Sequence, residues 1–204
     1  MLNSDNQEMT SLLNKVEQYL QKNSIYCTKS FLKSKIEIFK NLPKLEEKIL
    51  EVIKTENIEN FIDKEKMKSF KLSESCKFDV KKTIIKNNLI FQIEGYSNIA
   101  EPLEKVNKAN EANSENLDEV DNFESNYLQG DGEENVKQTE KVILKIKLIN
   151  GVDTLYGFEY EELTELKKFF TTAKDNKFVK IIVGPEVEVR RGILYLSQKN
   201  VKLI

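Results

Sequence analysis

The stretch that decides the fold is VNKANEANSENLDEVDNFESNYLQGDGEENVKQTE, residues 106–140. It either joins two domains or interrupts one. Upstream, NNLIFQIEGYSNIAEPL (87–103) places Leu89, Phe91 and Ile93 at a spacing of two and predicts a strand ending near Gly95, with Ile84 and Ile85 just before it. Downstream, KVILKIKLINGVDTLYGFEY (141–160) alternates Val142, Leu144, Ile146 and Leu148 with Lys141, Lys145 and Lys147, leaving Ile143 as the exception. That is a half-buried strand with a basic outer edge. A single strand upstream would have unpaired edges and no core, so the acidic run is expected to lie inside one β-domain rather than between two domains.

The remaining signals extend that domain. Asn150-Gly151 predicts a tight hairpin, because both residues tolerate positive φ. Tyr156, Phe158 and Tyr160 alternate on the returning strand, a pattern more often found in a barrel core than on a surface. ELTELKKFFTTAK (162–174) predicts a short helix. FVKIIVG (178–184) and EVEVRRGILYL (186–196) follow as strands turned at Gly184-Pro185, with Gly192 read as a bulge and NVKLI (200–204) as an edge strand. Short strands, a late helix and a bulge suggest a five-stranded OB-fold barrel.

Before residue 76 the period is helical. Leu12, Leu13, Val16, Tyr19 and Leu20 share one face of a first helix. Phe31, Leu32, Lys35, Ile36 and Phe39 mark a second over 29–39, and Leu45, Ile49, Val52 and Ile53 a third, with Pro43 in its first turn. None would stand alone, so they are expected to pack as a small bundle whose aromatic residues are core. The fold class is therefore α+β: a helical domain over 1–72, then an OB-fold domain over 76–204 with the insertion loop 106–140.

Composition narrows the function. The 204 residues are 39% apolar and 32% charged, with no histidine and only Cys27 and Cys76 as cysteines. Absence of histidine removes Ser-His-Asp and Cys-His arrangements and the zincin motif. The two cysteines suit free thiols in a reducing compartment. The glycines form neither GxGxxG nor a P-loop, and DEVDNFES lacks the order and central glycine of a calcium loop. An enzyme is not expected, and neither a cofactor nor a metal is implied. Without a signal-peptide pattern or a long apolar run, an intracellular protein without a membrane span is expected. Charge is uneven: residues 108–140 hold ten acids and two bases, against a small positive balance on both sides.

Lengthening a connection from about 5 to about 30 residues costs roughly 1.6 kcal/mol of closure entropy, which a barrel can carry. Composition predicts disorder for most of the insert. Leu117, Val120, Phe123, Tyr127 and Leu128, however, recur at three- and four-residue spacing behind Ser114, a suitable N-cap. They fit an amphipathic helix formed on a partner, docking on the chain's own barrel, or stray apolar residues in a disordered run.

KIKLINGVDTLYGFEY followed by FVKIIVGPEVEVRRGILYLSQKNVKLI resembles the RecQ-mediated genome instability protein 1 family. The segments carrying the likeness are Asn150-Gly151, Gly157-Phe158-Glu159-Tyr160, Lys180 to Gly184, Gly192 to Leu196, and Asn200-Val201-Lys202. FQIEGYSNIAEP resembles the family's first barrel strand, and VEQYLQKN its opening helical region. The resemblance implies a non-enzymatic OB-fold subunit of a type IA topoisomerase III and Bloom-type RecQ helicase complex, acting in the nucleus. Its insert would promote decatenation and dissolution of double Holliday junctions. Lys180 corresponds to a family lysine associated with topoisomerase and helicase binding. Relatives usually continue beyond the position of Ile204, and no second OB-fold is present, so a partner of that second domain is expected to be absent. A tudor-type topoisomerase III cofactor is similar over the opening domains but has a short loop.

A different class of function competes. A stand-alone OB module could bind single-stranded nucleic acid, with Lys141, Lys145 and Lys147 on phosphates and Tyr156, Phe158 and Tyr160 stacking on bases. The acidic insert would oppose it, and weak DNA binding is compatible with either function.

Overall fold

In the computed structural model, residues 2–100, 142–172 and 178–204 are described, the first five of these in backbone only. Six helices come first: α1 (Leu2–Lys22), α2 (Lys29–Phe39), α3 (Leu45–Thr55), α4 (Ile58–Phe61), α5 (Lys64–Lys68) and α6 (Leu72–Ser75). The apolar spacing that predicts the first three is the spacing they bury: Leu13, Val16 and Leu20 of α1 meet Phe31, Leu32 and Ile36 of α2 and Ile49 and Ile53 of α3. Thr28 caps α2 by accepting from the Phe31 N–H at 3.4 Å. Pro43 lies just outside α3 rather than in its first turn, because Lys44 takes a left-handed φ of 59° and the helix starts at Leu45.

Among the described residues the β-region holds eight strands where five were expected. They are β1 (Thr83–Ile85), β2 (Leu89–Asn98), β3 (Leu144–Ile149), β4 (Thr154–Glu159), β5 (Lys180–Val183), β6 (Val187–Arg190), β7 (Ile193–Leu196) and β8 (Val201–Leu203), with helix α7 (Thr164–Thr172) after β4. They form one sheet in the order β1-β6-β7-β4-β3-β2-β5-β8. Only Gly184, Pro185 and Glu186 separate β5 from β6, so strands near opposite ends of that order are held together and the sheet curls into a half-barrel. The β4–β7 pair is parallel and the rest antiparallel.

Three turns differ from expectation, each for a local reason. Gly192 is not a bulge: Arg191 and Gly192 both take positive φ (48° and 80°), and Val189 and Arg190 pair with Leu194 and Ile193. EVEVRRGILYL is therefore a two-residue hairpin, which the primed turns favour. Asn150-Gly151 is the start of a four-residue loop, in which the Asn150 side chain accepts from the Val152 and Asp153 N–H groups at 2.9 and 2.7 Å and only Gly151 has positive φ. Gly95 does not end β2, which runs on to Asn98 past a register shift between Ile93 and Gly95.

One apolar cluster runs from Leu13 in α1 to Val201 in β8, so helices and barrel share a core. Residues 89–93 of β2 and all four of β5 are buried. Both faces of these strands are covered, which explains why their sequences read as continuous apolar runs. Gln92 and Lys180 are register partners on the helix side, where the Ile58 N–H donates to Gln92 Oε1 at 2.9 Å.

Candidate functional site

Three places bear on function. The first is the root of the insert. The last residue pair of β2 and β3 is Asn98 with Leu144, so the chain leaves and re-enters the barrel at one corner. Asn98 Oδ1 accepts from the Ala100 and Ile143 N–H groups at 3.1 and 3.0 Å, and Ile99 N–H donates to the Ile143 carbonyl at 2.9 Å. Beside them the buried Glu159 takes the Leu144 and Leu163 N–H groups, each at 2.9 Å. Lys167 of α7 reaches Glu159 Oε1 at 2.6 Å and also donates to the Val142 carbonyl at 2.8 Å. A carboxylate removed from water is stable when paired and hydrogen-bonded in this way. Its effect is to tie β4, α7 and the returning end of the insert to one point. Glu159 follows Leu155 and Gly157 at the next inward position in the alternation of β4, and that parity is the signal by which the sequence could have marked it.

The second place is Lys180. A lysine reserved for a partner would be exposed, but Lys180 is 1% exposed. Its ammonium donates to the Phe178 carbonyl at 2.6 Å and to the Lys54 carbonyl, in the last turn of α3, at 3.3 Å. The rings of Phe178 and Phe61 lie 5.8 and 5.9 Å from Nζ. Burial pushes its pKa down to about 8, partly opposed by the Glu56 charge. In this structure Lys180 fastens the helical bundle to β5.

The third place is the outer face of β3, β4, β6 and β7. Leu155, Gly157 and Glu159 point inward, so Tyr156, Phe158 and Tyr160 point outward, contrary to the expectation of core. The reason is at Gly157: a Cβ there would overlap Leu196, leaving room on that face for no larger side chain. Phe158 is the register partner of Lys145 and Tyr195, and Tyr156 that of Lys147 and Ile193. Phe158 lies edge-on to Tyr195 with ring centroids 4.8 Å apart, and Tyr160 lies 5.4 Å from Tyr195. Tyr195, Ile193 and Arg190 belong to this surface, but the sequence reading assigned none of them to a site.

Among the predicted contacts, Lys145 and Lys147 lie on this face, Lys145 with its Nζ 5.1 Å from the Tyr156 ring centre and Lys147 paired to Glu94 at 2.6 Å. Lys141, Leu117, Val120, Phe123, Tyr127 and Leu128 lie outside the described residues. Lys82 and Arg190 both pair with Glu188 and hold its carboxyl below the usual range. The thiols of Cys27 and Cys76 are pushed up to about 12 and about 11, chiefly by burial, so neither is an activated nucleophile. Among the described residues no group of acidic and cysteine side chains is arranged to hold a metal, and no helix is long and apolar enough to cross a membrane.

No curated protein matches the chain. A family model described as RMI1, N-terminal OB-fold domain, matches residues 46–204, from α3 through the bundle's short helices to the end of β8. Its span includes the insert root, Lys180 and the outward aromatic face alike. The chain therefore belongs to the RMI1 N-terminal OB-fold domain family.

Proposed function

We propose that this chain is a non-catalytic subunit of a nuclear complex of topoisomerase III, a type IA enzyme, with a Bloom-type RecQ helicase. The OB-fold binds the topoisomerase, and the insert acts at its DNA gate to promote decatenation and dissolution of double Holliday junctions. The family supports this reading. The observation that carries it is the insert root, where Asn98 and the Glu159–Lys167 pair fix both ends of a strongly acidic segment side by side. A rigid base lets a segment on the barrel be presented in one direction to a bound enzyme. Direct contact with the helicase and the nuclear location rest on the family resemblance alone.

The test is decatenation by topoisomerase III with the full chain and with a chain lacking residues 108–138. The full chain is expected to bind the enzyme and speed decatenation, and the shortened one to bind it without that effect. Equal stimulation by both would refute the role of the insert.

One observation favours a second reading, a single-strand binding module: Tyr156, Phe158 and Tyr160 face outward and offer rings on which bases could stack. Steeply salt-dependent, submicromolar binding of single strands by the protein alone would favour it.

A further inference from the structure

We infer that the outward aromatic face, centred on Tyr156, Ile193 and Tyr160, is the surface by which the barrel docks a protein partner. On the reading proposed above, on which this inference rests, that partner is the topoisomerase. Three observations carry it. The first is exposure: Tyr156 and Ile193, side by side across β4 and β7, are each 42% exposed, and Tyr160 is 63% exposed. With the half-buried Phe158 and Tyr195 between them, they make a row of large apolar groups on one open sheet face. Tyrosines packed edge to edge with neighbouring rings and flanked by an arginine, here Arg190 over the Tyr195 ring, are the composition of interface hot spots.

The second observation is charge, and it decides between protein and nucleic acid. A strand-binding groove carries cations available to track phosphates. Here Lys147 pairs with Glu94 at 2.6 Å, Lys82 with Glu188 at 2.7 Å, Arg190 with the same Glu188, and Lys199 with Glu161 at 3.7 Å. Lys145 instead lies over the Tyr156 ring, and Arg191 in the β6–β7 turn lies over Phe78. Three carboxylates set among these cations make the face mixed in sign rather than a uniformly basic groove, as the rim of a protein interface is.

The third is position. Lys145 is opposite Phe158, so Ile143 and Tyr160 lie at the same end of the β3–β4 pair, and Tyr160 is beside the point where the insert re-enters. A partner seated on this row therefore lies next to the root of the insert. The complementary surface it must offer is aliphatic, with acceptors for the tyrosyl hydroxyls.

The experiment uses the full chain with Tyr156→Ala and Ile193→Ala together, and separately Tyr160→Ala, with Tyr160→Phe as the conservative control. Binding is measured to purified topoisomerase III and, in parallel, to a fluorescent oligothymidylate. The double variant and Tyr160→Ala are expected to keep the wild-type melting transition and lose at least about 30-fold in topoisomerase affinity. Tyr160→Phe is expected to stay within about threefold. A wild type that binds the enzyme while the variants bind it equally well overturns this inference and leaves the subunit reading standing. If the wild type does not bind, the subunit reading fails and this inference with it. Loss of oligothymidylate binding with topoisomerase binding intact would make the face a nucleic-acid platform and overturn the inference as well.

Discussion

Replacing Lys180 separates what its ammonium does from what its alkyl chain does. Lys180→Met keeps a long apolar side chain and removes the charge; Lys180→Ala removes both. Each variant orphans the same two carbonyls, of Lys54 and Phe178, and each is relieved of the same desolvated charge. Those terms cancel between the variants, leaving about three methylene groups of buried chain, or about 2–3 kcal/mol by which Ala should be less stable than Met. The charge is then read from pH. The amine titrates near 10.5 in the unfolded chain and near about 8 in the folded protein. Below about 8 both states hold the proton, and folding bears the full cost of burying it. Between about 8 and 10.5 the folded state releases the proton first, so stability rises with pH across that window. The wild type should therefore gain about 2 kcal/mol on Lys180→Met between pH 7.5 and pH 10. Urea unfolding of the three proteins at both pH values measures it. Equal stability of Ala and Met, or no relative gain by the wild type at pH 10, would refute the burial argument. Retention of topoisomerase binding by Met and its loss by Ala would assign Lys180 a positioning role.

Other substitutions probe the same joint and the barrel. Gln92→Leu leaves the buried Ile58 N–H without its acceptor and should cost about 1–3 kcal/mol, seen as a lower urea midpoint at unchanged slope. Gly157→Ala places a methyl against Leu196 and should cost about 1–3 kcal/mol, whereas Gly95→Ala, with nothing within 4 Å of the added carbon, should change the melting temperature little. Equal effects at the two glycines would contradict the packing described for β4.

Much of the fold was legible because the period of apolar residues is a direct consequence of which face is buried. The span 29–39 was readable as a helix to the residue, and β3 through Leu144, Ile146 and Leu148. Turn geometry was less legible, since Arg191-Gly192 and Asn150-Gly151 carry similar local signals and differ in how strands beyond them pair. The aromatic row was misread because Tyr, Phe and Tyr at alternate positions mark one face without saying which. The inward face was marked instead by small and charged residues, Gly157 and Glu159, that fit only beside Leu196 and Lys167. Lys180 was marked only through the family resemblance, as a partner-binding lysine, and its burial cannot be read from a lysine in an apolar strand.

The insert can be tested without disturbing the barrel, and the reason lies in its root. Among the described residues, the bonds that fix its ends involve residues 98–100, 142–144, 159, 163 and 167, none of which falls within 108–138. Deleting that span shortens the connection between Asn98 and Leu144 from about 45 to about 14 residues, which lowers the closure cost by about 1 kcal/mol. The shortened chain should therefore unfold at a slightly higher urea concentration than the full one. Loss of decatenation in a protein that is more stable, and still binds the topoisomerase, could then be ascribed to the missing segment. A shortened chain less stable than the full one would instead mean that the insert packs on its own barrel and contributes to the fold.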